Sequence, residues 1–595
     1  MALNSIRIDR DQEMTTRDGT VLRADVYRPE STGKVPAIVM RTPYEKANTS
    51  IDQTRFLPPL TACEKGFAVV IQDIRGRFAS EGEWDIVHLH AANVEDGVDC
   101  IEWVASEPWC DGNVGMTGGS YVGVTQLAAA AGRPSSLKAI APWLLGMPAE
   151  RAMRHSLPLE SMTVGWLAGL GVDNVMKKME SGEANTDDLT KLAEAITDPA
   201  RPSETLPLSD LLNLQTPGNP SYAEVEEMLV HANVEIERHF EAFEVPALWC
   251  FGWYDNAGGT EMFETMGSAA ATSTARTESR MIIGPWTHNY ALDFVGQFGV
   301  GGLGSAPGGA VPQSHLTFFS RHLRGEDVDI PVVRYFVMGS NVWKTADAWP
   351  IPGTEFRDMY LRSGGQANTS EGDGRLDREP ASEGERPDAY RYDPMDPVPA
   401  WGFRVMYTGG SVVNGPHEQT RVERRGDVLC YTSEELTEPF EIAGDVVLHL
   451  WAASSAVDTD WIVKLCVVDR DGLSANLADG YMRARTRNDW QDPELMEPGT
   501  PYEFTISLGQ TAYRFEPGQR VRVQVTSSAF PHFVRNMNTG KPIADDTEAT
   551  VAEQTVLHDP EHPSRVVLPV QPAAEDLAAE RLAGAMAVMP AVLDR

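Results

Sequence analysis

Cysteine is scarce. The 595-residue chain has six, Cys63, Cys100, Cys110, Cys250, Cys430 and Cys466. None forms a C-x-x-C pair and several sit inside apolar runs, which argues against a disulfide framework or a cysteine zinc site. They read as reduced core residues of a cytoplasmic protein. Long apolar runs are missing too: no stretch approaches the ~20 residues that a spanning helix needs. The opening "MALNSIRIDRDQEM" has neither an apolar centre nor a small-residue cleavage site, so no signal peptide is expected. Basic residues are outnumbered, 50 Lys and Arg against 86 Asp and Glu, a formal net charge of −36. Phosphate backbones and anionic lipid are repelled by such a chain, so neither nucleic acid nor membrane is an expected partner. The acidic excess serves solubility on one reading and a high-salt host on the other. No internal repeat is evident.

What is present begins with alternation. "VLRADVYRP" and "VPAIVMRTPY" are β-rich, and "GFAVVIQDIRG" is a short, nearly continuous apolar run, as expected for a strand buried on both faces. Val94, Val98, Ile101 and Val104 recur at helical spacing. "NVGMTGGS" reads as a strand and "YVGVTQLAAAAGR" as a helix. Strand, helix, strand, helix predicts a mostly parallel sheet. From 146 to 243 helical patterns take over: Ser221 and Glu224 form a capping box, and Leu189, Leu192, Ala193 and Ile196 form one apolar face. Strand signals return at "VPALWCFGWYD" and "SRMIIGPW", and "HLTFFSRHLRG" reads as a helix. Near 353 the chain becomes polar and Gly-rich, in "GGQANTSEGDGRLDREPASEGERPD", with few core-building residues. Strands follow, among them "RVRVQVTSS" with Val521, Val523 and Val525 at period two, so a β-sandwich or jelly roll is expected. The boundaries read as 1–145 and 244–352 for the two parts of an α/β domain, 146–243 for a helical insertion, 353–575 for the β domain and 576–595 for a helical tail.

Ser120 lies between a predicted strand and a predicted helix, among Gly118, Gly119 and Gly123. That is the setting of a nucleophile elbow, where a strained turn exposes a serine and the next residue's N–H, here that of Tyr121, faces a developing oxyanion. Val122 departs from the G-x-S-x-G spacing, and a Gly-rich turn with a satisfied hydroxyl is the competing reading. A serine needs a base. Asp255 closes one strand and His288 the next, in the order serine, acid, histidine that this fold requires. Taken alone, His288 is equally a satisfied loop histidine.

"GMTGGSYVGVTQ" resembles the elbow of the bacterial cocaine esterase group, which stands with X-Pro dipeptidyl-peptidase-like and α-amino-acid ester hydrolases. "RDGTVLRADVYRP", "QDIRGRFASEGEW", "GWYDN", "GPWTH", "FFSRHLRG", "SSAVDTDW" and "FPHFVRNMNTG" are similar to it as well, from about 17 to 565. The group carries its glycine at 123, which accounts for Val122. The resemblance implies an α/β-hydrolase domain, an inserted helical cap and a C-terminal jelly roll. It also implies the triad Ser120, Asp255 and His288, with the phenol of Tyr44 as second oxyanion donor beside the Tyr121 N–H. It places Trp166 over the site, and Met406 and Tyr407 on a loop at the pocket's lip. Trp143 offers a further apolar wall. Ala257 stands close after the acid, where a larger residue would narrow the acyl side. Arg151 and Arg154 open the insertion; they pair with carboxylates such as Glu150, or Arg154 holds an anionic substrate group.

The expected activity is therefore a serine esterase working through an acyl-enzyme, with an amidase or aminopeptidase as the alternative and a silent binding scaffold as the third reading. The expected partner is a small-molecule ester or amide, and a homo-oligomer stays open. No metal or cofactor is expected. "GVGGLG" follows no clear strand and does not read as a dinucleotide site. "HLH" at 88–90 lacks a third ligand, and Asp458 and Asp460 read as turn organisers before calcium ligands.

Overall fold

The computed structural model describes residues 5–30, 33–48, 56–85, 91–145, 161–197, 206–207, 240–255, 259–288, 291–404, 413–489 and 492–572. Its first sheet has ten strands: β1 (Ile6–Thr15), β2 (Val21–Pro29), β3 (Val35–Thr42), β4 (Ala68–Asp73), β5 (Cys110–Gly119), β6 (Leu137–Trp143), β7 (Leu248–Tyr254), β8 (Arg280–Thr287), β11 (Val333–Val337) and β12 (Val342–Ala346); the short pair β9 (Phe294–Val295) and β10 (Phe298–Gly299) stands apart from it. Their order is β1-β2-β4-β3-β5-β6-β7-β8-β11-β12. From β4 to β11 every neighbouring pair is parallel. All six residues of β4 are buried, the apolar Ala68–Ile71 as a central parallel strand requires and the polar Gln72 and Asp73 with them.

Helices α1 (Ala91–Ser106) and α2 (Tyr121–Ala131) pack on each other, so closely that a Cβ on Gly97 would come 2.8 Å from that of Ala129. Between β6 and β7 stand α3 (Ser161–Glu180) and α4 (Thr186–Thr197). The buried face of α4 is Asp188, Leu192 and Ala195. Ala193 and Ile196, expected on that face, point outward, because the apolar residues of this helix mark two overlapping stripes and packing selects one. The capping box at Ser221 and the tail 576–595 lie outside the described residues. A helix over Val311–Arg324 lays Phe319 against β5, where a Cβ on Gly115 would meet its ring at 2.6 Å.

The second sheet has eleven strands between Glu355 and Val570. Val521, Val523 and Val525 alternate into its core, yet Arg522 and Gln524 between them are also buried, because Glu423 accepts from both, at 2.5 and 2.8 Å. The polar region after 353 contributes to this sheet. It supplies strands Glu355–Arg362, Arg375–Asp377 and Asp388–Tyr392. Buried polar side chains stand beside its buried Leu361, Ala367, Leu376, Tyr390 and Tyr392: Asp388 accepts from Ser363 and Tyr431 hydroxyls at 2.7 and 2.8 Å and from the Ala367 N–H at 2.8 Å. Asp458 and Asp460 are likewise organisers, paired with Arg485 and Arg483 at 2.7 and 2.9 Å and bridged by the Asn536 amide.

The two sheets are joined through backbone. Met338 N–H donates to the Ala512 carbonyl at 3.0 Å, and Arg514 N–H to the Met338 carbonyl at 2.9 Å. Val534 of the second unit packs on Ala168, Val175, Leu192 and Ala195, so α3 and α4 rest against it.

Candidate active site

Strand β5 ends at Gly119 and α2 begins at Tyr121, with Ser120 alone between them at φ 55°, ψ −128°. This is left-handed, strained backbone for a non-glycine residue, and only its surroundings hold it there. A Cβ on Gly118 would lie 2.1 Å from Val122, and one on Gly119 would lie 2.3 Å from the Trp143 ring. Gly123 is less tightly pressed, its nearest neighbour Leu145 standing 3.1 Å away. Val122 therefore fills the space that Gly118 vacates. Ser120 N–H donates to the Trp143 carbonyl at 3.2 Å, and buried Gln126 donates to the Gly118 carbonyl at 2.9 Å while accepting from Ala141 N–H at 3.0 Å. The turn is held on both strands it touches, and Ser120 is left half-buried.

Asp255 follows β7 and His288 follows β8 directly, so both leave the sheet at the carboxyl edge where Ser120 also stands. A register shift at the end of this parallel pair separates Gly252 from Tyr254 and re-aims the two chain ends. The His288 Nδ1 and the Asp255 carboxylate are 2.8 Å apart, with 6% and 3% of the side chains exposed. Holding Nδ1 in this way fixes the ring's orientation.

Tyr44 follows β3 and reaches the same edge. Its phenol oxygen accepts from the Trp166 indole N–H at 3.2 Å, and the Ser120 side chain and Tyr121 N–H also face it. Burial raises the phenol's pKa above its ordinary 10, outweighing those bonds, so the group stays a neutral O–H donor. Tyr44 and Tyr121 meet edge to face at 6.4 Å. The Trp84 indole donates to the Tyr121 hydroxyl at 3.3 Å. Ile74, Leu167 and Leu170 complete this apolar cluster, and Trp166 remains half-buried on it.

Trp143, expected as a pocket wall, is 2% exposed and packs on Phe56 with ring centres 4.7 Å apart, behind the serine turn. Ala257, Arg151, Arg154, Met406, Tyr407 and the "HLH" histidines lie outside the described residues. Two charged residues of "QDIRGRF" went unnoticed in the sequence. Buried Asp73 accepts from Lys46 N–H at 2.7 Å and Ala79 N–H at 3.3 Å, and burial pushes its pKa up to about 6. Buried Arg77 reaches the Pro43 carbonyl, next to Tyr44, at 3.1 Å. Asp73 closes β4 and Arg77 stands in the turn that follows it, and neither position separates a buried charge from an exposed one in the sequence.

Comparison with known proteins follows the same division. Residues 18–290 match the model of the X-Pro dipeptidyl-peptidase (S15) family, and 327–567 match the X-Pro dipeptidyl-peptidase C-terminal non-catalytic domain. The chain is 38% identical over 572 residues to a cocaine esterase of Rhodococcus sp. (strain MB1 Bresler), covering 93% of this chain and 97% of that one. Two solved structures share the fold: an α-amino acid ester hydrolase (TM-score 0.71, 23% identity, 96% of this chain and 97% of that one) and an aminopeptidase of a marine sediment Thaumarchaeota archaeon (0.70, 22%, 96% of each).

Proposed function

Since this chain belongs to the X-Pro dipeptidyl-peptidase (S15) family, in its cocaine esterase-like group, and is a serine ester hydrolase, we propose that Ser120, His288 and Asp255 carry the reaction through an acyl-enzyme. The observation that carries this reading is the buried His288–Asp255 pair at 2.8 Å, on the same sheet edge as the strained Ser120. His288 Nε2 takes the hydroxyl proton as Ser120 attacks the ester carbonyl, and Asp255 stabilises the imidazolium that forms. The Tyr44 O–H and Tyr121 N–H hold the oxyanion, which collapses to release the alcohol, protonated from His288. Water, activated by the same imidazole, then attacks the acyl-serine, and the acid leaves.

On the finer architecture, the insertion carrying α3 and α4 acts as a helical cap and the second unit as a jelly roll. Trp166, half-buried above the Tyr44 phenol, walls the pocket, with Ala257, Met406 and Tyr407 as its remaining lining and Trp143 behind the turn. Arg154 is the candidate for holding a carboxylate on the substrate. Six free, buried cysteines support a cytoplasmic site of action.

The test is a panel of aryl, alkyl and amino-acid esters with matching amides. Ester turnover should exceed amide turnover, and Ser120→Ala, His288→Ala and Asp255→Ala should each lower kcat roughly 10³-fold or more, without adding. Near-wild-type turnover in Ser120→Ala would remove the mechanism. Amide turnover above ester turnover would favour the aminopeptidase-like alternative.

A further inference from the structure

The turn after β4 carries Arg77, a residue 1% exposed whose guanidinium bonds to parts of the chain far apart in sequence. Nε donates to the Pro43 carbonyl at 3.1 Å. Nη1 donates to the Leu170 carbonyl of α3 at 2.8 Å, with the Asn174 side chain at 3.4 Å and the Asp173 carboxylate at 3.7 Å. Its Cζ lies over the Trp84 ring, 4.7 Å from the centroid, and Trp84 is the donor to the Tyr121 hydroxyl. Asp173 also accepts from Phe78 N–H at 3.0 Å, and Lys177 donates to the Gly76 carbonyl at 2.9 Å, so this turn and α3 are fastened at several points.

The Pro43 carbonyl is half of the peptide plane that leads into Tyr44. The other half, Tyr44 N–H, donates to Thr42 Oγ1 at 3.0 Å. Proline offers no N–H of its own, so these two bonds hold the base of the Tyr44 side chain. The tip of that side chain is held by Trp166, one helical turn before Leu170 on α3. One guanidinium therefore touches both supports of the phenol: the peptide at its root and the helix that carries the indole at its tip. A planar fork with several donors serves acceptors on two elements at once, where a lysine ammonium could not hold the same plane.

We propose that Arg77 is a positioning residue of the oxyanion hole, aiming the Tyr44 phenol by tying the Pro43–Tyr44 peptide to the helix that carries Trp166. The proposal rests on the reading of Tyr44 as an oxyanion donor. Small displacements of a group that must meet a transition state cost heavily in rate. Arg77→Lys should therefore lower kcat roughly 10–100-fold with KM changed less than about 3-fold. A residue that acts through Tyr44 loses its effect once the phenol is gone, whereas a general structural residue does not.

The experiment is a double-mutant cycle on the full chain with a neutral aryl ester, using wild type, Arg77→Lys, Tyr44→Phe and the double variant, each with its thermal midpoint. The expected result is that Arg77→Lys costs less than about 3-fold in the Tyr44→Phe background. Thr42→Val, which frees the other half of the same peptide plane, should behave alike and carries the test if Arg77→Lys does not fold. An equal kcat factor in both backgrounds would overturn the positioning role while leaving Tyr44 as a donor. Wild-type kcat in Tyr44→Phe would overturn the oxyanion reading and this inference with it.

Discussion

Burial raises the pKa of both Tyr44 and Asp73 and so favours the protonated, neutral form of each. For the phenol the favoured form is the neutral donor that an oxyanion requires, so Tyr44→Phe should lower kcat by about 10²–10³, with little change in thermal midpoint. Ordinary ester turnover in that variant would return Tyr44 to a packing role. For Asp73 the favoured form is the protonated one, because the folded pKa of about 6 lies above the ordinary 3.8. Its ionisation then costs on the order of 3 kcal/mol above pH 6, and that cost is relieved as the pH falls from 6 towards 4. The unfolding free energy of wild type relative to Asp73→Asn should therefore rise on acidification across that window. A relative stability that grew with pH would contradict this. Tyr44 was legible only through the family resemblance, since "RTPYEK" has no local feature that separates a donor from a packed aromatic. Asp73 and Arg77 were not legible: a charged letter at a strand's end or in the turn after it does not say whether the chain folds back over it, and here residues 74–80 and α3 do.

At the scale of elements, the serine turn was the most readable part, because its glycines answer a packing need that can be measured. Gly118 and Gly119 sit where a Cβ would collide at 2.1 and 2.3 Å, while Gly123 meets Leu145 only at 3.1 Å. Gly119→Ala should accordingly cost about 1–3 kcal/mol and abolish turnover by displacing Ser120. Gly123→Ala should stay within about 1 kcal/mol of wild type, since helix propensity favours alanine and Leu145 has only to give slightly. Chemical denaturation of the two variants, read beside kcat, checks the contrast; equal losses would mean that the turn is held by something other than these contacts. The register of α4 was less readable, because a helix with apolar residues on two stripes packs by whichever neighbour it finds. The strands within the polar stretch from 364 to 388 were less readable for a related reason: part of their core is the hydrogen-bonded cluster around Asp388, which a hydrophobic pattern does not register.

Across the whole molecule, strand–helix alternation gave the parallel sheet and the valine alternation gave the β unit, but not how the two meet. They meet by backbone bonds at Met338 and by the little-exposed Lys344–Glu441 pair at 2.9 Å. They also meet through α3, whose residues pack on Tyr121 in one cluster and on Val534 in another. The helix that carries Trp166 thus stands between the serine turn and the second unit, which gives that unit a part in holding the site without supplying chemistry. Among the described residues no helix is long and apolar enough to cross a membrane. All of this turns on Ser120 being the nucleophile, and one measurement reaches that claim most directly. The purified chain, treated with a fluorophosphonate while ester turnover is followed, is digested and the adduct located by mass spectrometry. The account predicts one adduct, on Ser120, appearing in step with loss of activity, and none in His288→Ala on the same timescale. An adduct on another residue that tracked inactivation, or full inactivation with Ser120 unmodified, would contradict it.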